Sequence, residues 1–145
     1  MKTNFKRIIL ADENRLFIES LKTVIESMDP QIRIIDTAQN GSDTLKKTKK
    51  EQPDIVLLDI NLPGINGPEF IKLIKNESPK TKLVILTTND EFRYVKESLE
   101  NEVSGYFLKN IPLSELITLL PLISESTTIL SRELIPLIFG DTAYP

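Results

Sequence analysis

Residues 54–70 read DIVLLDINLPGINGPEF. Four apolar residues in a row, Ile55 to Leu58, stand between Asp54 and Asp59. A continuous aliphatic run bounded by polar residues is what a parallel strand covered on both faces requires. After the loop LPGING, Phe70, Ile71 and Ile74 take the spacing of one helix face over Gly67 to Asn76, and Pro68 sits in the first turn, where its missing N–H costs nothing. The stretch therefore predicts strand, loop and helix, with an acid at the strand's end.

The same unit recurs on either side. Further apolar runs occur at Ile8 to Ala11, Ile32 to Ile35 (broken by Arg33), Leu83 to Leu86 and Tyr106 to Leu108. Between them Phe17, Leu21, Val24, Ile25 and Met28 share one helical face, and Phe92, Val95 and Leu99 share another; Ser42 to Glu51 has Leu45 as its single large anchor. Pro112 opens a last helix running to about Ser124, kinked where Pro121 removes an internal hydrogen bond. Five strands alternating with five helices predict a doubly wound α/β fold, a parallel five-stranded sheet with helices on both faces. The lysines at 46, 47, 49 and 50 read as the wet face of a short helix.

The chain has 145 residues, 40% of them hydrophobic, enough for one core. Its formal charge of −3 argues against a surface built for nucleic-acid phosphates, and the absence of Cys and His excludes disulfides, thiolate or imidazole metal sites and histidine acid/base chemistry. Ile8 to Ala11 is too short for a signal-peptide core, and Leu116 to Ile123, interrupted by Thr118 and Pro121, is too short for a membrane span. The expected location is the cytoplasm.

In an open parallel sheet, ligands sit outside the carboxyl ends of the strands. There the sequence places Asp12 and Glu13, Asp59, Thr87 and Thr88, and Lys109. Carboxylates gathered together repel unless a cation joins them, and Mg2+ takes one or two such hard oxygen ligands with waters and a phosphate oxygen. Asp59 is then the candidate nucleophile toward a phosphoryl group, with Thr87 donating to a phosphoryl oxygen and Lys109 supplying a positive charge. Singly these residues read otherwise: Asp12 as an N-cap, Thr87 as a helix-entry hydroxyl, Lys109 as a surface charge, Tyr106 as a strand aromatic. Their joint occurrence at the ends of four strands favours a site.

With IILADEN at the first strand, DIVLLDINLPGINGPEF around the third, VILTTND at the fourth and GYFLKN at the fifth, residues 4–125 resemble a response-regulator receiver domain of two-component signalling. The resemblance implies a flavodoxin-like (CheY-like) sheet of order 2-1-3-4-5. It implies phosphorylation of Asp59 by a separate sensor histidine kinase, and Mg2+ held by Asp12, Glu13, Asp59 and the backbone carbonyl of Asn61. It makes Thr87 and Lys109 the phosphate-binding pair and Tyr106 the aromatic whose rotamer reports the state, moving into the space vacated as Thr87 is drawn in. Thr88, Asn61 and Asn89 border the access route to Asp59. Asn110 after Lys109 resembles the NarL/LuxR-type transcriptional regulators. That implies a homodimer through the receiver and DNA binding only through a C-terminal helix-turn-helix domain not present in this chain.

Residues 1–125 are thus expected to form the receiver and 126–145 a linker with a short helix capped by Ser131, leading toward that absent domain; Gly140 to Pro145 reads as a frayed end or the start of a linker. Such a domain is not an enzyme beyond its own phosphotransfer and slow self-dephosphorylation. Two alternatives stay open. A pseudo-receiver would bind proteins without being phosphorylated, and a haloacid-dehalogenase-type phosphatase would need an acid where Asn61 stands.

Overall fold

The computed structural model describes residues 5–124 and 127–139. The expected boundary at 125/126 and the terminal stretch 140–145 lie outside them. The strands are β1 (Lys6–Ala11), β2 (Ile32–Ala38), β3 (Ile55–Leu58), β4 (Lys82–Thr87), β5 (Gly105–Leu108) and β6 (Ile129–Leu130). The helices are α1 (Arg15–Met28), α2 (Gly41–Glu51), α3 (Gly67–Glu77), α4 (Phe92–Glu100), α5 (Leu113–Leu119) and α6 (Ile135–Phe139).

All strands are parallel, in the order β2-β1-β3-β4-β5-β6. The sheet is the expected doubly wound one with one addition: a sixth strand, from the segment read as linker, lengthens the five-stranded sheet at the β5 edge. Two residues carry no periodicity, so pattern alone does not reveal this strand. Gly105 makes it possible. A Cβ there would stand 3.3 Å from the Ile129 carbonyl oxygen and 3.2 Å from the Phe107 ring, so the bare glycine lets β6 come close.

Side chains alternate across the sheet and divide the core in two. Ile8, Leu10, Leu57, Val84, Leu86 and Phe107 pack beneath α1 and α5. Ile9, Val56, Leu58, Ile85, Tyr106 and Leu108 pack beneath α2, α3 and α4. The interior strands are buried on both sides, which is why they read as unbroken apolar runs. Edge strand β2 alternates instead, with Arg33 exposed.

Two helices depart from their expected faces. In α1 the buried stripe is Ile18, Leu21 and Ile25, whereas Met28 is 51% exposed. The buried residues of α2 are Gly41, Thr44 and Thr48, so this helix approaches the sheet on small side chains and Leu45 only flanks the core. The helix opened by Pro112, α5, keeps α geometry through Leu119 and then tightens to a 3-10 turn, Leu120–Leu122, around Pro121, where the kink was expected.

Candidate functional site

Because β1, β3, β4 and β5 are consecutive neighbours, residues just past their carboxyl ends fall side by side. Main-chain bonds extend the ladder that one further step. The Asp59 N–H donates to the Ala11 carbonyl at 2.9 Å, and the Lys109 N–H donates to the Thr87 carbonyl at 2.8 Å. On the far side, the Asp12 N–H donates to the Ala38 carbonyl at 3.0 Å. Asp12, Asp59, Thr87 and Lys109 are thereby held on rigid backbone.

Their side chains converge. Lys109 Nζ lies 2.6 Å from Asp12 Oδ2 and 2.9 Å from Asp59 Oδ2. The Thr87 hydroxyl donates to Asp59 Oδ1 at 2.6 Å, and the Asn61 N–H donates to the same oxygen at 2.9 Å. Asp12 and Asp59 are only 5% and 8% exposed. Burial by itself pulls the Lys109 ammonium down, but hydrogen bonds to Asp12 and Asp59 and their charges more than offset it and hold its pKa above the ordinary lysine value. Capping does not explain Asp12: Asn14 is the N-cap of α1, accepting from the Phe17 N–H, while Asp12 Oδ1 accepts from the Asn14 N–H at 2.8 Å.

The remaining residues occupy the rim. Glu13 is exposed, and its carbonyl accepts from Gln39 Nε2. Thr88 and Asn61 are exposed as well. The Asn61 amide reaches Thr87 Oγ1 and Asn89 at 3.4 Å each, and the Asn89 N–H donates to Thr87 Oγ1 at 3.2 Å. Tyr106 is fully buried and its hydroxyl donates to the Asn89 carbonyl at 2.6 Å. Burial foremost, then the charge of Asp59, pushes this phenol well above the usual tyrosine range. Thr87 thus touches Asp59 directly, and Tyr106 lies buried behind it.

Phe17 was not legible as a member of the site. The Lys109 ammonium lies over its ring, 4.4 Å from the ring centre, a cation–π contact. The sequence shows only a core-type aromatic on α1, 92 positions away in the chain, so no local signal marks the contact.

Two buried carboxylates face one ammonium, which leaves a net negative charge, and the donors are all hard oxygens. Such a set suits Mg2+. Among the described residues no three carboxylates form an ion-sized cluster; Lys109 Nζ bridges Asp12 and Asp59, and Glu13 is exposed beside them in the chain. Also among the described residues, no helix is long and apolar enough to cross a membrane.

The family model of the response regulator receiver domain matches residues 8–121. The chain belongs to that family. A receiver with these features is similar to the transcriptional regulatory protein LnrK of Bacillus subtilis, 33% identical over 88% of this chain and 58% of that protein. It is also similar to the nitrate/nitrite response regulator NarL of Escherichia coli, 28% identical over 90% of this chain and 60% of that protein. The chain thus spans about three fifths of the length of these relatives. A LuxR-family response regulator from Aurantimonas has the same fold, with a TM-score of 0.85 over 97% of this chain and 99% of that one at 22% identity. The receiver assignment agrees with the NarL/LuxR-type expectation and places the chain in a signalling family.

Proposed function

We propose that this receiver accepts a phosphoryl group on Asp59 from a sensor histidine kinase and thereby switches an output interface, regulating transcription. One observation carries the reading: a buried Asp59 carboxylate is gripped by the Thr87 hydroxyl on one oxygen and the Lys109 ammonium on the other. In the transfer, an Asp59 oxygen bonds to phosphorus as the donor's P–N bond breaks, and the departing imidazole nitrogen keeps the electron pair. The chain itself contains no His, so the donor must be another protein or a small phosphodonor. Asp12, Asp59, Glu13 and the Asn61 carbonyl would hold Mg2+, which when bound neutralises charge on the phosphoryl oxygens. Lys109 and Thr87 then bind those oxygens, and the new charge of about −2 strengthens both contacts.

Turnover has no support here. The position two residues after the nucleophile, where a phosphatase needs a proton donor, is Asn61. The site serves as an acceptor, with slow loss of the group as its only hydrolysis. Dimerisation through the receiver, contact with DNA through a C-terminal domain outside this sequence, and a cytoplasmic setting complete the proposal.

Incubation with acetyl phosphate and magnesium, followed by intact mass, tests it. One added phosphoryl group, lost in Asp59→Ala, is the expected result. Rapid release of free phosphate would point to a phosphatase, and no modification by acetyl phosphate or by kinases would leave a pure binding module.

A further inference from the structure

The tail beyond α5 touches the site through an unbroken series of hydrogen bonds. Thr87 donates to Asp59; the Asn89 N–H donates to Thr87; Tyr106 donates its hydroxyl proton to the Asn89 carbonyl. From there the Ser131 N–H donates to the Tyr106 carbonyl at 3.0 Å, and Ser131 Oγ accepts from the Leu108 N–H at 2.9 Å. Leu108 directly precedes Lys109. Ser131 occupies the N-cap position of the turn Arg132–Leu134 as expected, but its hydroxyl caps nothing there and grips the strand segment that presents both Tyr106 and Lys109.

Packing follows the same line. Leu130 stands opposite Tyr106 in the β5–β6 register, and the Ile129 N–H donates to the Ser104 carbonyl. Leu134 is 1% exposed and shares a buried cluster with Tyr106, Val95 and Val103, and Ile138 packs against it. Tyr106 is clamped at its hydroxyl by the loop after β4 and at its backbone and flank by the tail. Tyr106 and the backbone that leads to Lys109 are therefore shared by both clamps.

We propose that residues 127–139 are a strap whose docking on β5 and the state of Asp59 bias one shared equilibrium: the seated strap favours the inward Tyr106 and a Thr87 hydroxyl held toward Asp59, and occupancy of Asp59 seats the strap. The site half rests on the phosphoacceptor reading; the link between strap and Tyr106 does not. Reciprocity requires the two effects to be equal in size.

The test uses the full chain, Leu134→Asp to unseat the strap, and Ser131→Ala as a milder change that spares the core. Binding of beryllium fluoride with magnesium is followed by fluorine NMR, and amide exchange is followed at Leu108, Ile129 and Ser131. The strap predicts affinity at least fivefold weaker in L134D, an intermediate loss in S131A, and slower exchange at those amides by a matching factor when the native chain is saturated. Unchanged affinity in L134D with fast exchange at those amides would overturn the proposal. Should the native chain form no adduct, the phosphoacceptor reading fails and Tyr106 decides the strap by itself: nitration by tetranitromethane, mapped by mass, must rise in L134D, and equal protection in both chains rejects the link.

Discussion

The Thr87 hydroxyl donates to Asp59 Oδ1 at 2.6 Å although 28 positions separate the two residues in the chain. The contact exists because β3 and β4 pair in register with Leu58 opposite Ile85, which brings the end of one strand beside the end of the next. It leaves Asp59 with one oxygen held by a hydroxyl and an amide and the other by an ammonium. The consequences of this arrangement are measurable.

Lys109→Ala leaves Asp12 and Asp59 buried side by side without their cation. Removing one member of a buried ion pair costs about 3 kcal/mol, so the urea midpoint should fall accordingly. Asp12→Asn in the same background should recover part of the loss, because it removes one of the two opposed charges; no recovery would refute the repulsion account.

If the proposed site takes magnesium, and only in the folded state, the ion should stabilise the protein by about 1.4 kcal/mol at ten times its Kd. Thermal melts with and without EDTA read this directly. Asp12→Asn and Asp59→Asn should each abolish most of the increment, and Glu13→Gln, at the exposed rim, should reduce it less.

Tyr106 sets an alkaline limit. Its phenol is raised in the fold, by burial first, and an unfolded tyrosine ionises near pH 10. Below that pH both states are protonated and the Tyr106 contribution is fully present. As pH rises past about 10 the unfolded chain loses its proton while the folded chain keeps it, so stability declines, by up to about 1.4 kcal/mol per pH unit. Urea titrations between pH 9 and 11 should show this slope in the native chain and a shallower one in Tyr106→Phe. At pH 7 that variant should cost about 1 kcal/mol for the lost bond to the Asn89 carbonyl.

Gly41→Ala should be disruptive although it lies at a helix start, where alanine is usually harmless. The added Cβ would come within 2.6 Å of the Gly64 carbonyl oxygen and 2.7 Å of Ile65, in the loop that follows Asn61. Such overpacking costs about 2 kcal/mol, and since the Gly41 N–H also holds the Pro63 carbonyl at 2.7 Å, magnesium affinity should fall with it.

Most of the architecture was legible because interior parallel strands must be apolar on both faces, and Ile55 to Leu58 or Leu83 to Leu86 can hardly be anything else. The strand-end groups were legible for the same reason, since a strand's last residue fixes where the next side chain arrives. What escaped was whatever depends on contact across the fold. Thr44 and Thr48 bury a helix that looks wet, Phe17 meets Lys109 only in three dimensions, and Ile129 and Leu130 form a strand because β5 offers an open edge with a glycine in it. Met28 and Ile18 exchange roles because helical periodicity leaves the exact centre of the buried stripe open by about one residue.

Neighbouring strands in a hydrogen-bonded sheet stand about 4.8 Å apart, so the sheet acts as a ruler for every group mounted on its rim. Asp12, Asp59, Thr87 and Lys109 cannot drift apart while that lattice is intact. Competence and cooperative melting are therefore one event in this molecule, and a heated sample should lose the ability to take up magnesium along the same curve by which it loses its circular dichroism.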